Sequence, residues 1–162
     1  MLDLANIYGS STYSLASVFS VWGLARVGGQ KELQTVASEV LRGLVLANAL
    51  VSPLKLTVGR QRPDGSNNFS FPSGHSANAF AMTAVLGRRY GWRVGVPLYV
   101  FTAAVPVARI HHRRHFFSDV VAGSALGTIA GFAVTRPEQE RPLAWMPVYT
   151  RAGWGVRAQW SY

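Results

Sequence analysis

The sequence contains no cysteine and few acidic residues. Without cysteine the chain cannot form a disulfide, a cysteine-ligated zinc site or a catalytic thiolate. The absence of cysteine does not indicate whether the protein lies in an oxidising or a reducing compartment. Only seven Asp and Glu oppose sixteen Lys and Arg, so the formal net charge is +9. Charged residues make up 14% of the 162 residues, whereas about 25% is usual for soluble domains. The composition indicates one apolar and strongly basic domain.

Apolar segments separated by glycine and polar loops predict five helices. We therefore predict an all-α fold, an antiparallel bundle of about five helices. Two stretches within the predicted helices, 94–108 and 120–135, carry no charge, but each is shorter than the roughly 20 apolar residues of a spanning helix. The pattern therefore fits two structures, a bundle that spans a membrane and the buried core of a soluble bundle. The predicted helices are Thr12–Val27, Leu33–Leu56, Ser76–Tyr90, Val94–Ile110 and Phe117–Thr135.

The C-terminal segment has a different pattern from the rest of the chain. Apolar and polar residues alternate from Trp154 to Trp160, which predicts a short hairpin that turns near Ala152-Gly153 and packs on the bundle. We divide the chain into a helical domain at 1–141 and a tail at 142–162.

The segment F-P-S-G-H-S, residues 71–76, has the pattern of an anion site at a helix start. Ser73 is a favourable N-cap, and Gly74 lets the backbone approach a ligand closely. The free N–H groups and the positive dipole end of the next helix attract anions. His75 would lie beside that anion as a proton donor or acceptor. A capped helix with an incidental histidine is the simpler interpretation of this segment alone.

Two other segments supply cations and a second histidine. In an up-and-down bundle, the ends of helices two and four and the starts of helices three and five lie at one end. Three fixed cations there would repel one another unless an anion lay between them, and a phosphate dianion matches guanidinium forks. The residues expected at this end are Lys55, Arg62, Ser73, Gly74, His75, Arg109, His115 and Asp119.

The spacing of His115 and Asp119 favours nucleophilic catalysis. Residues four apart share a helical face, so the carboxylate is expected to accept from one ring nitrogen and leave the other free. One histidine would then attack phosphorus while the other protonates the leaving oxygen.

The order K-x6-R-P, P-S-G-H and R-x5-H-x3-D resembles the type 2 phosphatidic acid phosphatase (PAP2) superfamily, which includes bacterial acid phosphatases and vanadium haloperoxidases. The resemblance runs from Lys55 to about Gly127. It implies that His75 is the general acid, that His115 becomes phosphohistidine and that Asp119 is the partner of His115. It also implies a phosphate site without a metal or another cofactor, formed by Lys55, Arg62, Ser73, Gly74 and Arg109.

Two features depart from the family pattern. The third motif usually opens with Ser-Arg, but this chain has Ala108-Arg109, so a hydroxyl near the third cation is missing. Membrane members usually have six spanning helices, and only five are predicted here.

The resemblance implies a phosphatase of the bacterial cell membrane that acts on a lipid phosphate. If the helices span the membrane, the basic residues at the end opposite the pocket, among them Arg26, Lys31 and Arg88, predict that this end is cytoplasmic and that the pocket faces the periplasm or the outside.

The alternatives are a soluble periplasmic acid phosphatase and an anion-binding module without turnover. A haloperoxidase is disfavoured because those enzymes are far longer. Zinc bound by His111 and His115 is a weaker hypothesis because no third ligand besides Asp119 is evident. Nucleic-acid binding is also disfavoured, since the cations are spread along an apolar chain.

Overall fold

The computed structural model describes residues 10–135 and the backbone of two strands, 144–150 and 153–159. The two strands pair with each other in an antiparallel ribbon. In chain order the elements are α1 Ser11–Val27, α2 Lys31–Val58, α3 Gly74–Tyr90, α4 Trp92–Thr102, α5 Ala104–His111, α6 Phe117–Val134, β1 Ala144–Thr150 and β2 Gly153–Gln159.

The predicted fold class needs correction. The bundle is helical, but its described part has six helices rather than about five, because the segment predicted as Val94–Ile110 is broken at Ala103. Pro106 has no N–H to donate to the carbonyl of Thr102, so a continuous helix would lose a hydrogen bond there.

The hairpin-like tail is also removed from the fold class. The described bundle consists of helices, and β1 and β2 pair with each other in a sheet of two strands. Of the predicted turn residues, Gly153 is the first residue of β2, whereas Ala152 lies outside the described residues. The packing of the tail and the domain boundary also lie outside them.

Helix α3 lies at the centre of the bundle and contacts α2, α4 and α6 most extensively. Its contact with α6 depends on three glycines spaced four residues apart. A Cβ at Gly123 would lie 2.3 Å from the Ser73 carbonyl oxygen, and one at Gly127 would lie 2.0 Å from that of Ala77. At Gly131 a Cβ would lie 2.6 Å from the oxygen of Ala81. These glycines let the two backbones touch, and this contact sets the start of α6 against the start of α3.

The boundaries of α2 and α3 follow from local sequence. Helix α2 ends at Gly59, whose φ of 57° is in the left-handed region that glycine adopts without strain. Its N–H donates to the carbonyl of Lys55, so Lys55 lies in the last turn. Helix α3 begins after Ser73, whose hydroxyl accepts from the Ser76 N–H at 3.4 Å. The predicted N-cap is thus confirmed, although the hydrogen bond is long.

Among the described residues, three helical stretches are long and apolar enough to cross a membrane: Lys31–Val58, the pair α4 and α5 over Trp92–His111, and Phe117–Val134. Many large apolar side chains on these helices face outward. Val100, Phe101 and Ile129 are 72%, 62% and 60% exposed. Such side chains are unfavourable in water but suit contact with lipid. The arrangement supports a membrane protein and disfavours the soluble core left open by the sequence.

Candidate active site

Three segments meet at one end of the bundle. The Lys55 ammonium donates to the carbonyls of Phe69 at 2.8 Å and Pro72 at 2.7 Å, which ties α2 to the loop before α3. The Ser73 N–H donates to the Asp119 carbonyl at 2.9 Å, which ties that loop to α6. The bundle therefore assembles the residues expected from the sequence at a single end.

The charges of the three predicted cations oppose protonation of both histidines. Lys55, Arg62 and Arg109 lie within electrostatic range of the His75 ring and of the His115 ring. Burial and then the charges of Arg109 and Lys55 lower the pKa of His115 from 6.5 to about 3. The His115 ring is therefore neutral across the physiological pH range, as a nucleophile must be.

Hydrogen bonding fixes the tautomer of His115. Its Nδ1 lies 2.7 Å from the carbonyl oxygen of Ser70. Because a carbonyl only accepts, Nδ1 must carry the proton. The lone pair is then on Nε2, which is the nitrogen available to attack. The ring is 2% exposed, so its orientation is fixed by packing as well as by this hydrogen bond.

The contacts of Asp119 differ from the expected pairing. Its Oδ2 lies 3.8 Å from His115 Nδ1, too far for a hydrogen bond. It accepts instead from the Ser70 hydroxyl and, at 2.9 Å, from the N–H of Phe116. His115 precedes the N-cap position of α6, so the two residues do not share a helical face. The expectation of a direct hydrogen bond was therefore wrong, because Asp119 caps the first turn of α6.

Sequence reasoning missed two residues that contact Asp119. Arg60 donates to Oδ1 of Asp119 at 2.8 Å and to the hydroxyl of Ser118 at 2.8 Å. Its guanidinium lies 4.0 Å from the centre of the Phe116 ring. The Ser70 hydroxyl donates to Asp119, and the Ser70 carbonyl accepts from His115. The sequence offered a reason to consider Arg60, because it is a basic residue between the two predicted phosphate ligands Lys55 and Arg62. Nothing in the sequence distinguished Ser70 from the other residues of its polar loop.

Two features suggest space for an anion. Within the described residues, the buried Nε of Arg62 meets no hydrogen-bond partner. A Cβ at Gly74 would make only ordinary contacts, at 3.9 Å, with Lys55 and Val51. Protein packing therefore does not require glycine at this position, and close approach of a ligand to the backbone is a better explanation.

The structure also describes the surroundings of Ala108 and of His111, the residue considered as a zinc ligand. Ala108 is fully buried with Ala79 and Val105 in an apolar cluster, so its side chain contributes to packing. His111 is the exposed last residue of α5, whereas His115 is buried in the following link. No group of three histidines and carboxylates suited to a metal occurs among the described residues.

Comparison with known proteins identifies the family. Residues 37–142 match the PAP2 superfamily. The chain belongs to this superfamily. The match covers both histidines, all three cations and Asp119.

Named bacterial phosphatases are among its relatives. The chain is 33% identical over 125 residues to lipid A 1-phosphatase of Porphyromonas gingivalis, which covers 75% of this chain and 28% of that protein. It is 31% identical over 96 residues to phosphatidylglycerophosphatase B of Bacillus subtilis, covering 50% of this chain and 47% of that protein. The chain thus spans from about a quarter to a half of these two relatives.

Two crystal structures have a similar fold. The transmembrane PAP2-type phosphatidylglycerolphosphate phosphatase of Bacillus subtilis superposes with a TM-score of 0.67 at 26% identity, covering 82% of this chain and 74% of that one. LpxE of Aquifex aeolicus superposes with a TM-score of 0.61 at 22% identity, covering 81% and 84%. The second likeness concerns the fold alone.

Proposed function

We propose that this protein is a metal-independent phosphohydrolase of the bacterial membrane that removes phosphate from a phosphorylated lipid. The observation that carries the proposal is the state of His115. Its ring is neutral, its Nδ1–H is held by a carbonyl and its Nε2 is free, beside three cations suited to a phosphate. These are the properties of a nucleophile next to a phosphate site.

The cations would hold the phosphate and stabilise its charge in the transition state. Arg62 and Arg109 offer guanidinium forks, which match phosphate oxygens. Lys55 uses two of its three N–H groups on carbonyls, which leaves the third for the phosphate. Ser73 and the N–H of Gly74 would complete the site at the positive end of α3.

Two displacements at phosphorus complete the reaction. Nε2 of His115 attacks phosphorus, and the bond to the lipid oxygen breaks as His75 donates a proton to that oxygen. In the free protein, burial and the three cations lower the pKa of His75 to about 4, so the negative charge of the bound phosphate must raise it for His75 to carry this proton. His75 then accepts a proton from water, whose oxygen attacks phosphorus and breaks the bond to His115. The products are the lipid alcohol, or the lipid monophosphate from a diphosphate, and inorganic phosphate. Asp119 stabilises the positive charge that develops on His115.

The relatives and the exposed apolar helices favour a lipid over a soluble ester. The two relatives named above are phosphatases of lipid A and of phosphatidylglycerophosphate. Their shared chemistry is a phosphate group on a membrane lipid. We therefore propose this class of substrate without choosing a head group.

The proposal is tested with purified full-length protein in detergent and EDTA. We expect phosphate release from at least one of phosphatidate, phosphatidylglycerophosphate and a polyprenyl diphosphate, and slower release from p-nitrophenyl phosphate. The variant His115→Ala should lose turnover. Hydrolysis of the soluble ester alone would favour a nonspecific acid phosphatase. Vanadate binding without any turnover would favour an anion-binding module, and activity restored only by Zn²⁺ or Mg²⁺ would contradict the metal-free reaction.

A further inference from the structure

Arg60, Ser70 and Asp119 form a closed set of contacts behind His115, which we call the carboxylate clamp. The Ser70 N–H donates to the Arg60 carbonyl at 2.9 Å. The Arg60 guanidinium donates to one oxygen of Asp119 at 2.8 Å, and the Ser70 hydroxyl donates to the other. Each member of the clamp thus bonds both of the others.

The clamp leaves the Ser70 carbonyl as the acceptor for His115. Both oxygens of Asp119 are occupied, and Ser70 and Asp119 are fully buried. Breaking either hydrogen bond would leave a buried polar group without its partner, which is costly. The Ser70 carbonyl therefore has a fixed position. Because the His115 Nδ1–H donates to this carbonyl, the position of the imidazole is fixed as well.

Arg60 is itself held in place by two further contacts. Its guanidinium lies over the Phe116 ring and donates to Ser118. Phe116 also donates its N–H to Asp119. Arg60 therefore connects the loop after α2 to the first turn of α6, next to the nucleophile.

Resting on the proposed function, we infer that Arg60 and Ser70 are positioning residues, which hold the His115 ring in its attacking orientation through the Ser70 carbonyl. Asp119 acts on the nucleophile through Ser70 and through its charge 3.8 Å away, rather than through a direct hydrogen bond. A displaced nucleophile slows the chemical step while leaving the phosphate-binding cations in place.

The kinetic test uses Arg60→Gln and Ser70→Ala in the full-length protein. Each should lower kcat by about tenfold to a hundredfold, the range that small misplacements of reacting groups produce. KM and the inhibition constant of inorganic phosphate, a ground-state ligand of the cations, should change little. Arg60→Lys, which keeps the charge, should recover part of kcat. In the Asp119→Asn background, neither substitution should add its full effect, because members of one contact network are coupled.

Matched controls lie away from the pocket. Arg88 donates to the Phe132 carbonyl at 2.9 Å and lies 5.7 Å from the centre of the Phe132 ring, so Arg88→Gln removes a similar set of contacts at the opposite end of α3. Thr102 shares a buried hydroxyl pair with Thr83, so Thr102→Val removes a comparable hydroxyl. Both controls should keep kcat within about twofold, as expected for sites that share no partner with the clamp.

A spectroscopic arm separates this inference from the proposed function. In protein labelled with ¹⁵N-histidine, the Nδ1–H signal of His115 is identified by its loss in His115→Ala. We expect Ser70→Ala and Arg60→Gln to shift it or accelerate its exchange with water, whether or not the protein turns over a lipid. An unchanged signal with unchanged kcat would overturn the inference. A parallel loss of kcat and of affinity for inorganic phosphate would also overturn it, because that result indicates a structural role.

Discussion

At the scale of single residues, the site depends on burial as much as on charge. His115 is almost fully buried beside cations, and both conditions oppose its protonation. The sequence identified the residue but not this state, because burial is a property of the assembled bundle. The hydrogen bond from Nδ1 to the Ser70 carbonyl was equally beyond prediction, since it joins residues 45 positions apart.

The lowered pKa of His115 predicts its titration in the free protein. With a pKa of about 3 instead of 6.5, the ring should be neutral at pH 5 and gain its proton only near pH 3. Arg109→Gln removes the largest charge that opposes protonation, so the variant's His115 pKa should rise toward the usual value. ¹⁵N-histidine NMR measures both. A cationic His115 at pH 5 in the wild type would contradict the described environment.

At the scale of elements, helix positions were more predictable than helix contacts. Gly28-Gly29, the loop after Gly59 and Gly91 mark helix ends, and the predicted bounds of the first, second, third and last helices lie within two residues of those found. The break at Ala103 was missed because the segment is apolar throughout. The small residues of the last helix suggested close packing, but only the structure identifies α3 as the helix they contact.

The glycine contact between α3 and α6 gives a prediction about stability and activity. Gly127→Ala places a methyl 2.0 Å from the Ala77 carbonyl oxygen, so the helices must separate. Overpacking typically costs about 1–3 kcal/mol, and kcat should fall as the pocket segments shift. Gly23→Ala is the matched control, since nothing lies within 4 Å of a Cβ at that position of α1. Thermal unfolding in detergent and phosphate release measure the two effects.

Equal stability and activity of Gly127→Ala and the wild type would show that α3 and α6 do not touch at this position. Gly23→Ala should match or exceed the wild type in stability, because alanine is favoured over glycine within a helix by about 0.5–1 kcal/mol.

At the scale of the whole molecule, the distribution of cations suggests an orientation. The end opposite the pocket carries the basic residues Arg26, Lys31, Arg88, Arg89 and Arg93, at helix termini. Cytoplasmic segments of membrane proteins are enriched in Lys and Arg. The cations at the pocket end are explained by phosphate binding, so they do not argue against this orientation. We therefore propose that the pocket faces the periplasm.

The absence of cysteine makes this orientation directly measurable. Asn68→Cys places a thiol in the exposed pocket loop, and Glu32→Cys places one in the exposed first turn of α2 at the opposite end. In intact cells with a permeable outer membrane, a thiol reagent that does not cross the inner membrane should label Asn68→Cys only. Labelling of Glu32→Cys alone would reverse the proposed topology.

The central claim is that His115 forms a covalent bond to phosphorus without a metal. The direct measurement is rapid quenching of the purified protein with a ³²P-labelled lipid phosphate in EDTA. We predict a phosphoprotein that is stable in alkali, lost in acid and absent from His115→Ala, as expected for a phosphorus–nitrogen bond. Lipid hydrolysis by the wild type with no such species, or an equal amount of it in His115→Ala, would contradict the account.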